Sequence, residues 1–505
     1  MGVFIGKKKN KSGKVSVRIF QKVNRTNRLL KTIGCSSDPN EITRLVTEGY
    51  QWIEEHSGTT SFDFDGKKCQ ASQVLDMIDQ LTASGVELLL GKIFDEIGFY
   101  QIPDDLFRKL VLARLCYPVS KLKTTAYLAR YHHLYLDVHE VYRYLDKLHN
   151  TQKELVQDIS YRHTLKILGG RISVVFYDVT TLYFETEEED ELRKPGYSKD
   201  GKPENPQIVL GLLVGVDGYP LAYEIFEGNK YEGHTMLPVI DGFKRRYKIR
   251  KLVVIADAGL LSGKNIEELT KAKYEFIIGG RIRHEHSDIK KRILDLKLSN
   301  GGCTVITKED GLKIVISYTD KRAVKDRINR EKGIRRLEKQ VKTGKLTKAS
   351  INNRGYNKFL SISGTASVNI DYNKIKEESK WDGLKGYVTN TELAAEQVIE
   401  NYLHLWKIER AFRISKSELK IRPIYHRLQR RIEAHICITF TAYKVYKELE
   451  RQLKENGAIF SPEEAINIAQ TIFSVQITIP ETKEHLNKVL ILTPEQETLA
   501  RIFKF

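Results

Sequence analysis

Ile172-Ser173-Val174-Val175-Phe176-Tyr177-Asp178 is a β-branched and aromatic run that ends on a carboxylate. Before it, from about residue 86 to 168, apolar residues such as Leu88, Leu89, Ile93 and Ile97 recur at three- and four-residue steps, which predicts helices. At residue 172 the period changes to that of a buried strand. Residues 207–216 give a second strand, Asp217-Gly218 a tight turn and 221–226 a third strand, so an antiparallel meander is expected. Thr235 should then cap a helix to about Tyr247, with a buried strand at 252–255 ending at Asp257, a helix at 262–272 and a strand at 274–279. Three antiparallel strands followed by alternating helices and strands predict a mixed α/β sheet.

Working outward, Val15, Val17 and Ile19 alternate with polar residues, the pattern breaks at Asn24-Arg25-Thr26-Asn27, and it resumes at Leu29 and Ile33. With an earlier strand at Val3 and Ile5 this makes a small basic meander. The helical stretch up to 168 suits a helix-turn-helix reader of DNA or a plain bundle equally well. Residues 286–390 interrupt the sheet rhythm with short strand-like pieces at 303–306, 312–317 and 359–363 around a basic, helix-prone stretch, which reads as an insertion. One long helix is expected over 392–419, stopping before Pro423. The resulting division is a basic β-hairpin arm at 1–60, a helical DNA-binding region at 61–168, a core in two parts at 169–285 and 392–450, a β-rich inserted subdomain at 286–391 and a C-terminal region at 451–505.

The chain's 505 residues exceed the roughly 250–300 at which one core stops growing, so two to four packed units are expected. Its 41% apolar and 29% charged residues supply core material and exclude a disordered chain. The longest apolar run, 208–216, is well short of the roughly 20 residues of a bilayer span, and the N-terminus turns basic at Lys7 without a signal-like stretch. A cytoplasmic, nucleoid-associated protein with no membrane partner is expected. Cys35, Cys69, Cys116, Cys303 and Cys437 lie too far apart for a disulfide framework or a zinc site and read as buried thiols. The net charge of +18 is segregated: windows 1–31, 321–358 and 402–431 carry +10, +11 and +7, and the remaining 406 residues sum to −10. Three solvated charge runs would give this pattern, and so would three grips on an extended polyanion.

Asp178 and Asp257 each end a buried β-branched run. Either alone is the position of a turn former or cap. At the carboxyl ends of neighbouring strands they would project into one crevice, where paired carboxylates repel unless a hard cation such as Mg²⁺ or Mn²⁺ lies between them. On the expected 392–419 helix, Tyr402, Glu409 and Lys416 are spaced seven and seven and share one face, with about 20° of drift per heptad. Arg413 follows Glu409 by four residues. Such a carboxylate can ligate a metal while its neighbours hold phosphates. A solvated helix with a Glu409–Arg413 pair is the plainer reading of the same spacing. Leu405, Ile408 and Phe412 form the expected core stripe, bordered by Trp406.

Tyr177-Asp178-Val179-Thr180-Thr181, Gly196-Tyr197-Ser198-Lys199-Asp200, Ala256-Asp257-Ala258-Gly259-Leu260 and Tyr402…Trp406-Lys407-Ile408-Glu409…Lys416 resemble the DDE transposases of bacterial insertion sequences. Specifically they resemble the group with a β-rich insertion before the glutamate and a Tyr-Arg-Glu-Lys signature, over roughly residues 85–450. The resemblance implies a ribonuclease-H-like mixed-sheet core and an enzyme that cleaves and joins DNA strands by phosphoryl transfer. Asp178, Asp257 and Glu409 would be the catalytic acids and the ligands of two Mg²⁺ or Mn²⁺ ions. Tyr402 and Lys416 would contact the phosphates of the element's end, with Arg413 beside them. The signature arginine position is Leu405 here, so that contact is not carried over to any residue. Double-stranded DNA, as element ends and target, and a homodimer on DNA are the implied partners.

Two other classes share these features. A structure-selective nuclease would use the same carboxylates without strand transfer, and a silent DNA-binding regulator would keep the basic segments and dispense with the acids. The acid run at 185–191 reads as a solvated hairpin tip. His234 lacks partners at metal spacing, Trp381 and Trp406 read as core residues before base-stacking ones, and Gly279-Gly280 and Gly301-Gly302 lack the context of a phosphate loop.

Overall fold

The structure, a computed structural model, describes residues 3–23, 26–57, 78–197, 201, 204–260, 263–343, 352, 355–363, 367–478 and 484–505. Ser198, Lys199 and Asp200 of the quoted motif, and Asn24, Arg25 and Cys69, lie outside them. The chain divides into two units, 1–80 with 476–487 and 81–475 with 488–505.

In the first unit β1 (Val3–Lys9), β2 (Val15–Val23) and β3 (Thr26–Ser36) pair antiparallel in chain order. Val17 and Ile19 on β2 are fully buried. A helix that the alternation gives no hint of, α1 (Pro39–Ser57), packs on this sheet, with Leu45 against Gly34 and Gly49 against Ile5 and Ile33. β4 (Ile78–Ala83) leads into the second unit.

There α2 (Lys92–Ile97), α3 (Asp105–Cys116), α4 (Lys121–His132), α5 (Val138–Thr151) and α6 (Lys153–Ile167) occupy the stretch read as helical. Asp104, Ser120 and Asp137 cap the starts of α3, α4 and α5 by accepting from the backbone N–H of Leu106, Lys123 and His139. The strands that follow are β5 (Val174–Tyr183), β6 (Gln207–Gly215), β7 (Pro220–Glu227), β8 (Val253–Ala256), β9 (Glu275–Gly280), β10 (Cys303–Thr307) and β11 (Lys313–Tyr318). A small hairpin, β12 (Leu360–Ser363) with β13 (Ser367–Ile370), precedes β14 (Leu384–Thr389). Eight of them form one sheet in the order β10-β11-β14-β9-β8-β5-β6-β7. The β5–β8 and β8–β9 pairs are parallel, and every other pair is antiparallel. The mixed α/β expectation is met.

Within the stretch read as an inserted subdomain, the expected strands β10 and β11, and β14, for which no strand was expected, extend the main sheet past β9. β9 would otherwise be an open edge, and the backbone of β14 closes it antiparallel, Gly386 to Thr389 against Gly280 to Ile277. Among the described residues, the 23-residue helix α10 (Asp320–Lys342) and the β12–β13 hairpin gather round a separate small cluster of Leu337, Phe359 and Leu360, joined by Ile375.

Helices cover both faces, so β6 is buried along its whole length. On one face lie α7 (Met236–Tyr247), α8 (Gly263–Lys271) and α9 (Ser287–Leu294), whose Ile240, Leu269 and Ile293 pack with Val175, Tyr177, Val254 and Ala256. Thr235 does not cap α7. Its hydroxyl donates to Glu232 O at 2.6 Å and accepts from Tyr177 OH at 2.7 Å, because a preceding 3₁₀ turn already starts the helix.

After α11 (Tyr372–Ser379), the other face takes α12 (Ala395–Leu403), α13 (Trp406–Ser417) and the long α14 (Gln429–Glu455). Val398, Leu405, Ile408 and Phe412 share one apolar cluster there with Phe176, Ile255 and the inner faces of α2, α3, α5 and α6. The expected single 392–419 helix is two helices. The chain ends with α15 (Pro462–Gln470), β15 (Phe473–Thr478), β16 (His485–Leu490) and α16 (Pro494–Phe503). Among the described cysteines Cys437 is buried, Cys116 and Cys303 are half-buried, and Cys35 is exposed on β3, where the strand's outer face meets solvent. No helix among the described residues is long and apolar enough to cross a membrane.

Candidate active site

The strand period decides where the two aspartates point. Val175 and Tyr177 of β5, like Val254 and Ala256 of β8, face α7 and α8, whereas Phe176 and Ile255 face α12 to α14. Tyr177 pairs with Ala256 across the parallel strands. The residues that follow this pair are Asp178 on β5, which the alternation turns to the α13 side, and Asp257 just past β8. Asp178 is half-buried within β5 and its Oδ1 accepts from the N–H of Val179 at 2.8 Å. Asp257 stands just past the end of β8 and is exposed.

Tyr402 comes up to Asp257 from α12. It is buried, and its hydroxyl donates to Asp257 Oδ1 at 3.2 Å. Gly279 on β9 makes room for it, since a side-chain carbon at that position would run into the hydroxyl. The Tyr387 ring packs edge-on at 4.9 Å, and the Lys385 ammonium sits 4.5 Å above the Tyr402 ring. Burial, and then the negative charges of Asp257 and Glu409, push the Tyr402 phenol well above its ordinary pKa. For Lys385, burial and then Arg322 push the ammonium down, while Asp257 and Glu409 pull it up. Asp257, Glu409, Tyr402 and Lys385 thus share one electrostatic neighbourhood.

Glu409 reaches it by a different route from the one the spacing predicts. Between α12 and α13 the backbone tightens into i→i−3 hydrogen bonds, His404 N to Asn401 O, Leu405 N to Tyr402 O, Lys407 N to His404 O and Ile408 N to Leu405 O, at 2.9–3.2 Å. Such a turn rotates faster per residue than an α-helix. Leu405, at the signature arginine position, points into the core, 6% exposed. Lys407 pairs with Asp217 at 3.7 Å and Arg410 pairs with Glu450, so neither stands in for the arginine. Arg413 is exposed and Lys416 half-buried, one and two turns along α13 from Glu409. Trp406 is half exposed, while Trp381 is the core residue expected. The 185–191 acid run is an exposed loop segment except for half-buried Thr186.

The donor set suits a hard divalent cation, which takes oxygen ligands. As the side chains stand, no three His, Cys, Asp or Glu residues among those described close round a single point to make a ready cage. Lys385 and Gly279 are the members of this neighbourhood that sequence reasoning missed. Gly279-Gly280 inside a strand pattern carried a signal, the close approach of another group. Lys385 carried none.

The family model described as "Transposase DDE domain" matches residues 169–444, more than half of the chain. The chain belongs to this family. It is a DDE-type transposase, and the matched span contains Asp178, Asp257, Tyr402, Glu409, Arg413 and Lys416. No curated protein matches the chain. Among solved structures, the piggyBac transposase synaptic complex with hairpin DNA aligns with 72% of this chain and 69% of its own, at 9% identity and a TM-score of 0.38.

Proposed function

We propose that this transposase binds the ends of an insertion sequence of bacterial type and carries out metal-dependent strand cleavage and strand transfer, with Asp178, Asp257 and Glu409 as its catalytic acids. The observation that carries the reading is the parallel pair Tyr177–Ala256, which sets Asp178 of β5 next to Asp257 just past the end of β8, on strands whose Phe176 and Ile255 pack toward the helix that bears Glu409. The order β7-β6-β5-β8-β9, three antiparallel strands followed by two parallel ones, supports a ribonuclease-H-like core. Residues 286–391 would then be an elaboration that continues the core sheet.

Asp178, Asp257 and Glu409 would hold two divalent ions, Mg²⁺ or Mn²⁺, which supply Lewis-acid stabilisation to an in-line phosphoryl transfer. Tyr402 orients the Asp257 carboxylate through its hydroxyl. The exposed Arg413 guanidinium and the Lys416 ammonium face incoming backbone phosphates, with the preference of guanidinium for bidentate contact. Duplex DNA, as element ends and target, is the substrate, and joining two ends in one event calls for a homodimer on DNA.

In purified protein, Asp178→Ala, Asp257→Ala and Glu409→Ala are each expected to abolish Mg²⁺- or Mn²⁺-dependent strand cleavage while end binding persists. Near-normal cleavage by any of the three overturns the assignment. Joining of precut ends to a plasmid separates strand transfer from plain nuclease action.

A further inference from the structure

The turn between α3 and α4 and the segment 420–426 after α13 enclose an open cavity of about 420 Å³. Arg114, Lys121, Lys123, Lys420 and Arg422 line it together with His426 and His435, and no Asp or Glu does. Two of these cations are buried: Arg114 and Lys121 are each only 5% exposed. Arg114 Nη2 meets His435 Nδ1 at 3.5 Å, and among the described residues the Lys121 ammonium has no hydrogen-bond or ion-pair partner. The charge that bears on Lys121 is the like charge of Arg114. Burial, Lys121 and Arg114 hold His426 down to about 3. Asp146, the acid acting on His426, is already held by Arg430 and Arg431 at 2.8–2.9 Å.

Ser120, the N-cap of the 12-residue helix α4, and Lys121, its first residue, both line the cavity. The positive end of a helix dipole therefore adds to the two buried like charges of Arg114 and Lys121, in a cavity whose lining includes no Asp or Glu. Buried unpaired cations are costly, and an anion that accepts hydrogen bonds from several directions relieves both their desolvation and their repulsion.

We propose that this cavity is a binding site for a phosphate group, held by Lys121, Arg114 and the start of α4, with Lys123, Lys420 and Arg422 at its mouth. A backbone phosphodiester of bound DNA and free phosphate share this chemistry, and the first of these rests on the function proposed above.

Inorganic phosphate titrated into the full-length protein at constant ionic strength is expected to raise the thermal unfolding midpoint saturably, where chloride does not. Lys121→Met is expected to remove that response. Lys123→Glu tests the same site in a protein that stays folded. A glutamate three residues after the Ser120 cap completes a capping box while it places a negative charge at the cavity mouth. If the group is a DNA phosphodiester, both variants also weaken duplex binding and flatten the slope of log affinity against log salt by about one. A lost phosphate response with an unchanged slope supports the site and assigns it to free phosphate. A wild-type midpoint indifferent to phosphate, with unchanged DNA slopes in both variants, overturns the site even in protein that cleaves DNA normally. Absent cleavage with the phosphate response intact sinks the catalytic reading and leaves this site standing.

Discussion

Tyr402 is the residue on which the site's geometry turns, because its hydroxyl ties α12 to Asp257 through a gap that Gly279 leaves open. β9 is paired on both sides, so its backbone has little freedom to yield. Gly279→Ala is therefore expected to cost about 1–3 kcal/mol, measured by urea unfolding. In Gly279→Ala with Tyr402→Phe the clashing oxygen is gone, so the two changes should be less than additive; full additivity would show that the contact carries no energy. Asp178 and Asp257 were legible in the sequence because each ends an apolar run of strand period. Lys385 was not, since its place above the Tyr402 ring depends on β14 joining β9, a pairing across more than a hundred residues.

The elements show where periodicity holds and where it fails. The 172–279 pattern translated directly into β5 to β9 because a strand buried on both faces leaves an unbroken β-branched run. The helix bearing Glu409 is not continuous with α12, and no Gly or Pro marks the tightened turn at His404 and Leu405, where Leu405 is buried in the core. A second tie between elements is testable by pH. Asp146 on α5 accepts hydrogen bonds from Arg431 and then Arg430 of α14, and its carboxyl is held at about 2, below its usual 3.8. A depressed carboxyl adds stability above its unfolded pKa and loses it as pH falls through the folded one. Wild-type protein should thus lose stability between about pH 4 and pH 2 by a step absent from Asp146→Asn. Solvent screening limits the step to about 1 kcal/mol or less. Identical acid profiles would show that the pair contributes nothing.

For the whole molecule, the three basic windows have unequal standing. In 402–431 the cations Lys407, Arg410, Arg427, Arg430 and Arg431 are paired with four acids from elsewhere in the fold, Asp217, Glu450, Glu188 and the shared Asp146, so just over half of the +7 is offset in place. In 1–31 the lysines Lys7, Lys8 and Lys9 lie exposed on β1. Deleting residues 1–31 would cut through β3, so substitution is the cleaner test of this arm. Lys7→Gln, Lys8→Gln and Lys9→Gln together should weaken duplex binding and flatten its salt dependence while leaving metal-dependent cleavage chemistry intact. An unchanged slope would demote the arm to a solvated surface. The sequence by itself determined the mixed sheet, the helical stretch before it and the aspartates after the two apolar runs, because burial imprints its period on neighbouring residues; of the two, Asp257 stands at a strand end, whereas β5 runs on past Asp178 to Tyr183. The tertiary structure alone decided that β10, β11 and β14 extend that sheet, that Leu405 turns into the core, and that Arg114 and Lys121 share a cavity without an acid. Those outcomes depend on contacts between residues far apart in the chain, and local periodicity carries no record of them.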